Sequence, residues 1–313
     1  MQKLLLKIVI FAGANLVVGW GIVSNLVDVP TTATYKRTII ENHLDADTLI
    51  LGSSHAVFDV APLAMPGHVV NLANVSQDLY YDCELARRYI GRMRQLKRVV
   101  LEISFFSWER SLGESEEKWR GDLYVHAFGI YPQKWTFRSG HYSQWAAFGW
   151  ERVLGFRRED DPFDARGWLR GDGHVEMKSG KVAAQRHLKS MRESTLAGNQ
   201  QLVRELVHAC RALGIDVVFV TPPAHACYRR ELNAPALARM QQATESFRRE
   251  LDVSHLDYFT DPRFDDADYL DGDHLNARGA KKFSRILAAD LDQFRSPPRD
   301  AVESIATSPR QVK

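Results

Sequence analysis

Three cysteines are all this chain of 313 residues contains, at Cys83, Cys210 and Cys227, and no two stand as Cys-x-x-Cys. A disulfide framework and a cysteine metal site are therefore not expected; Cys83 and Cys210 fall on apolar helix faces and read as core thiols. Excess charge is also missing. The net value is +2, too little for a nucleic-acid binder that draws its affinity from phosphate contacts. No internal repeat is present. Ile8 to Val27 holds no charged residue at all.

What is there is an ordinary globular composition, 45% hydrophobic and 26% charged, long enough for one large domain and an extra element. The uncharged run Ile8 to Val27 would span about 30 Å as a helix, the thickness of a bilayer core. It follows Lys3 and Lys7, and no good small-x-small cleavage site succeeds it, Thr32-Ala33-Thr34 being a poor one. An uncleaved anchor over residues 1–30 is expected, crossing the inner membrane through residues 8–27 once. Lys3 and Lys7 would stay cytoplasmic and the rest would face the periplasm or exterior.

From Thr31 to Leu44 the pattern predicts a linking helix. Strands follow at Thr48 to Leu51, His68 to Leu72 and Arg98 to Ile103, with an amphipathic helix from Asp78 to Leu96 between the last two. Strand, helix, strand in this order predicts a parallel α/β sheet with right-handed crossovers. Residues 105–193 break the pattern and carry Trp108, Trp119, Trp135, Trp145, Trp150 and Trp168, six of the seven tryptophans. This Trp-rich insertion is expected to cover the sheet edge. Its rings read first as its own small core, and second as a sugar-binding lid. The α/β pattern resumes with a helix at Thr195 to Leu213 and a strand at Asp216 to Thr221. A helix at Ala236 to Leu251, a short strand at His255 to Phe259 and a helix after Asn276 complete it. Residues 296–313, with Pro297 and Pro298, read as a disordered tail.

The chemistry concentrates at two stretches. Gly52-Ser53-Ser54-His55 ends the first strand, the place where a nucleophile stands at the carboxyl edge of a parallel sheet. Asp271-Gly272-Asp273-His274 offers an acid three residues before a histidine. A serine hydroxyl needs an imidazole to take its proton and a carboxylate to hold that imidazole in one tautomer. Ser54, His274 and Asp271 fit these roles, with Ser53 the rival nucleophile and Asp273 the rival orienter. Asp271, Asp273, His274, His55 and Asp59 also suit a hard cation or zinc by residue type. No second His or Cys cluster stands at ligand spacing, so neither metal nor cofactor is expected.

These two stretches resemble the SGNH/GDSL hydrolase superfamily over residues 46–104 and 194–294. Gly52-Ser53-Ser54-His55 stands at its Gly-Asp-Ser-Leu block and Asp271-Gly272-Asp273-His274 at its Asp-x-x-His block. The branch most similar is the membrane-anchored one related to polysaccharide O-acetylation and D-alanyl transfer proteins. The resemblance implies a three-layer SGNH/flavodoxin-like domain over residues 31–295, with Ser54, His274 and Asp271 catalytic. It implies an acyl, foremost acetyl, esterase or transferase working on a cell-envelope glycan, with a membrane-bound acyl donor protein as a candidate partner. The family's oxyanion donors come from a second-block Gly and a third-block Asn. Here Ala73 and Asn74 occupy the second block, and Ser104-Phe105-Phe106-Ser107 stands where Gly-x-Asn-Asp is expected. Asn74 is thus the candidate replacement donor, and His225 and Tyr228, at another sheet-edge loop after Pro222-Pro223, are candidate substrate contacts. The departure keeps open a non-catalytic glycan-binding or assembly factor, with a metal-dependent phosphoesterase as a further alternative.

Overall fold

The computed structural model describes residues 7, 9–15, 17, 19, 31–133 and 161–293. Five strands make one sheet: β1 Thr48–Leu51, β2 Val69–Asn71, β3 Arg98–Glu102, β4 Asp216–Thr221 and β5 Ser254–Asp257. Every pairing is parallel and the order is β2-β1-β3-β4-β5. Leu49, Ile50 and Leu51 are wholly buried, as are Val99 and Leu101 beside them. Such unbroken apolar runs belong to strands covered on both faces, and this is what a parallel sheet requires.

The helices supply those covers. Leu79–Tyr89 (α3) packs on Leu196–Ala212 (α6), and Ala234–Leu251 (α8) packs on α6 as well. Ala277–Asp292 (α9) packs on Ser54–Asp59 (α2), while Thr32–Glu41 (α1) packs on Gly121–Phe128 (α4). On α9, Phe283, Leu287 and Leu291 are buried, one stripe of the helix as the sequence spacing implies. The helix starts are set chemically. Thr31 closes a capping box on α1, and the side chains of Asp78, Asn233 and Asn276 accept first-turn N–H groups of α3, α8 and α9. The expected helix to Leu96 stops at Tyr89, followed by turns through Leu96. Leu96 and Met93 are nonetheless buried, so the periodicity that suggested a helix serves the core as a turn.

The insertion contributes α4, the helix Met177–Ser190 (α5) and several short 3-10 turns. It lines the β2 edge: Asn71 N–H donates to Arg166 O at 2.8 Å, and the buried Lys36 Nζ donates to the carbonyls of both Asn71 and Gly167. Gly167 sits at φ +91°, and a Cβ there would lie 2.1 Å from Asn71 O, so only glycine permits this approach. Trp108 and Trp168 are buried. Their indole N–H groups donate to Thr244 Oγ1 at 2.8 Å and to Phe58 O at 2.7 Å. These two rings are core, not a lid surface. Trp135, Trp145 and Trp150 lie outside the described residues, as does the tail 296–313. Cys83, Cys210 and Cys227 are free and buried.

Most of the predicted anchor also lies outside the described residues, and among the described residues no helix is long and apolar enough to cross a membrane. Of the anchor, Val9, Ile10, Phe11 and Val17 are helical and exposed.

Candidate active site

With strand order 2-1-3-4-5, the chain leaves the sheet in opposite directions after β1 and β3, and ligand sites in such folds form at the carboxyl ends of those strands. Gly52 turns the chain out of β1 at φ +144°, where an added Cβ would lie 2.5 Å from Cβ of Glu102. Only glycine can pass the end of β3 so closely. Ser53 then caps α2, and Ser54 opens it.

The two serines have opposite environments. Ser53 donates both its N–H and its hydroxyl to Glu102 Oε2, each at 2.7 Å. Ser54 Oγ instead lies 2.9 Å from His274 Nε2. On the far side of that ring, Nδ1 lies 3.0 Å from both Asp271 oxygens. Asp271 Oδ1 also accepts the N–H groups of Asp273 and His274, which folds the loop back on itself. Asn276 secures the loop from below by donating to the carbonyls of Ala267 and Tyr269, and Asp59 accepts the Leu275 N–H at 2.7 Å. The Phe58 ring lies 5.0 Å from the His274 ring.

His274 is buried. Burial opposes its charge, but the charge of Asp273, the hydrogen bond His274 donates to Asp271 and the charges of Asp271 and Asp59 outweigh that, and its pKa is pushed up to about 9. Asp59 shows the reverse: burial drives its carboxyl well above the usual range, and one of its oxygens has no partner.

Asp273, the rival orienter, is placed differently from Asp271. Its Oδ1 is 3.7 Å from His274 Nδ1, while its Oδ2 meets His55 Nε2 at 3.2 Å, Arg186 at 3.3 Å and His187 Nε2 at 3.5 Å. His55 Nδ1 contacts Ser104 Oγ, whose hydroxyl bonds Glu102 Oε1, and His187 Nδ1 contacts the Tyr228 hydroxyl at 2.7 Å. A buried polar chain thus runs from Glu102 to Tyr228 beside His274. Sequence reasoning missed Glu102, Ser104, Arg186 and His187; Tyr228, expected with His225 as a substrate contact, instead ends this chain with its hydroxyl on His187. The one available signal was an acid closing the apolar strand Arg98–Glu102; His187 sits in the aperiodic insertion and gave none.

The other predicted residues are not brought to Ser54. Ala73 N–H donates to Asn71 Oδ1 at 3.0 Å, and Asn74 N–H donates to Gly52 O at 3.2 Å. The Asn74 side chain donates to Thr32 Oγ1 and accepts Val75 N–H. Both second-block amides are therefore already engaged. His225 caps the short helix Ala226–Arg229 (α7), its Nδ1 on Cys227 and its Nε2 2.9 Å from Asp266. Its partners are structural ones.

No protein-family model matches this chain, and no curated protein matches it. Solved structures that match the chain include a GDSL-like lipase from Bacteroides thetaiotaomicron VPI-5482, 12% identical with a TM-score of 0.42, over 84% of this chain and 99% of that one. A lipase/acylhydrolase from Enterococcus faecalis is 8% identical with a TM-score of 0.40, over 80% of this chain and 98% of that one. A carbohydrate acetylesterase family member from Sinorhizobium meliloti is 13% identical with a TM-score of 0.35, over 79% of this chain and 98% of that one. Similarity at this level carries no argument, so the functional reading rests on the side chains themselves.

Proposed function

We propose that this protein is a serine-dependent acyl esterase or transferase of SGNH type. Ser54 is the nucleophile, His274 the general base and Asp271 the orienter. The observation that carries this is the unbroken chain from Asp271 through His274 to Ser54, with contacts of 3.0 and 2.9 Å. His274, once neutral, takes the Ser54 proton as the hydroxyl oxygen attacks an ester carbonyl, and the imidazolium that forms is stabilised by Asp271. The oxyanion receives the Ser54 N–H, which as a first-turn amide has no partner within its helix. Collapse expels the alcohol with the proton from His274 and leaves an acyl-serine. Water or a sugar hydroxyl then attacks that ester, with His274 again taking the proton.

The acyl group is acetyl and the substrate a cell-envelope polysaccharide in this reading. Its support is the uncharged run Ile8 to Val27, whose described residues Val9, Ile10, Phe11 and Val17 are exposed. A single-pass anchor in the inner membrane would hold the domain near membrane-borne glycans and a membrane-bound acyl donor protein, on the periplasmic or outer side.

The test is labelling of the full chain in detergent with a fluorophosphonate. Labelling of wild type that is lost in both Ser54→Ala and His274→Ala is the expected result. A folded wild type that does not label, or a Ser54→Ala variant that still does, overturns the assignment. One observation favours a non-catalytic glycan-binding factor instead: the engaged amides of Ala73 and Asn74 leave the oxyanion few donors. Glycan binding by an unlabelled, folded protein would select that reading.

A further inference from the structure

We propose that His55, His187 and Asp273 form a binding site for one divalent transition-metal cation, with zinc as the best fit. The proposal stands independently of the serine reading. Three observations support it.

The first is spacing. A tetrahedral zinc with ligand bonds of about 2.0–2.1 Å sets its ligand atoms about 3.3 Å apart. Asp273 Oδ2 lies 3.2 Å from His55 Nε2 and 3.5 Å from His187 Nε2, and all three ligand atoms are within 4.8 Å of one another. Two imidazole nitrogens and one carboxylate oxygen are also a donor set zinc accepts, with a fourth position left for water.

The second is the outer shell. A metal-ligating histidine is held by a hydrogen bond at its other nitrogen. His55 Nδ1 meets Ser104 Oγ, and His187 Nδ1 meets the Tyr228 hydroxyl at 2.7 Å. Both rings are thus fixed with Nε2 turned to the same carboxylate oxygen. All three residues are buried, and they come from α2, α5 and the 270–276 loop.

The third is a count of hydrogens. Glu102 Oε1 accepts the single hydroxyl hydrogen of Ser104. Ser104 Oγ must then accept from His55 Nδ1–H. A neutral His55 so arranged presents a bare Nε2 lone pair to the Asp273 carboxylate at 3.2 Å. Two acceptors that close need a cation or a proton between them. At present Arg186 shares the charge of Asp273 Oδ2 at 3.3 Å, and its side chain, 57% exposed, is free to swing aside for an ion. A resident zinc would tie the insertion to the end of β1 and to the loop that carries His274. The sequence expectation of no metal rested on the absence of a second histidine cluster; the fold supplies it by bringing His187 to His55.

The experiment uses the full chain in detergent, stripped with chelator and re-equilibrated with zinc chloride or cobalt chloride. Bound metal is measured by mass spectrometry of the element, and tetrahedral geometry by the visible absorption of cobalt. The expected result is one equivalent per chain, a tetrahedral cobalt spectrum and a zinc-dependent rise in the unfolding temperature. In His55→Gln and His187→Gln, with folding checked by circular dichroism, affinity should fall by at least about tenfold and the cobalt spectrum should vanish. His68→Ala, which breaks the separate half-exposed group of His43, Asp45 and His68, should leave the equivalent in place. A folded wild type that holds no zinc, or binding unchanged in His55→Gln and His187→Gln, overturns the proposal. Fluorophosphonate labelling of the same samples reports on Ser54 separately.

Discussion

Replacing Asp271 by Asn removes one charge with almost no change of shape. Asn can keep an oxygen where Asp271 Oδ1 accepts the backbone N–H groups of Asp273 and His274, so the loop should hold. What changes is the neighbour of His274 Nδ1, now an amide in place of a carboxylate with both oxygens at 3.0 Å. At that distance, and at an effective dielectric of about 20, a carboxylate stabilises an imidazolium by roughly 5 kcal/mol. The Asp271 side chain is 36% exposed, and water reduces this. A loss of about 3–5 kcal/mol corresponds to ~10²–10⁴ in the rate of serine acylation, and the upper figure matches the loss seen when the carboxylate of a serine triad is neutralised. The assay is the second-order rate of fluorophosphonate labelling, read against circular dichroism and the unfolding midpoint. A folded Asp271→Asn protein that labels within about threefold of wild type would show that Asp271 does not orient His274. The triad would then have to be rebuilt on Asp273.

The pH profile offers a separate check in chelator-treated protein. With the His274 pKa at about 9, the neutral base grows about tenfold per pH unit below that value, so labelling should rise from pH 7 and level off near pH 9. A profile already flat at pH 7 would contradict the charge environment described for His274. The stability linkage has the matching sign. The folded-state pKa lies above the ordinary 6.5, so the stabilisation from charged His274 is full below pH 6.5 and is lost as pH rises through about 9. Urea unfolding at pH 6 and pH 9 measures it. Ser53→Ala should keep its labelling, because Ser53 is bonded to Glu102 and not to His274. It should lose about 1–3 kcal/mol of stability by leaving the buried Glu102 oxygen one donor short. Loss of labelling with unchanged stability would instead make Ser53 the nucleophile.

Much of the scaffold was legible because parallel strands buried on both faces must be written as apolar runs. Thr48–Leu51 and Asp216–Thr221 stand where the runs predicted, and the capping residues Asp78 and Asn276 announce their helices by side-chain chemistry alone. The triad candidates were legible for a similar reason. Gly52 at a strand end and an acid three residues from a histidine are local patterns. The insertion was not, since its residues bury rings such as Trp108 and Trp168 through contacts distant in sequence, with no period to follow.

By itself, then, the sequence determined the parallel α/β scaffold and marked Gly52-Ser53-Ser54 and Asp271-Gly272-Asp273-His274 as the reactive stretches, because strand burial, helix caps and a local Asp-x-x-His are written within a few residues of one another; the resemblance to the SGNH/GDSL superfamily favoured Ser54 and Asp271 within them. Only the tertiary structure decided which serine faces the imidazole, which aspartate meets Nδ1, and that His187 joins His55 and Asp273. Those choices depend on where the ends of β1 and β3, the insertion and the last loop come together. Differences of less than 1 Å, 3.0 against 3.7 Å at His274 Nδ1, separate a bonded carboxylate from a neighbouring one.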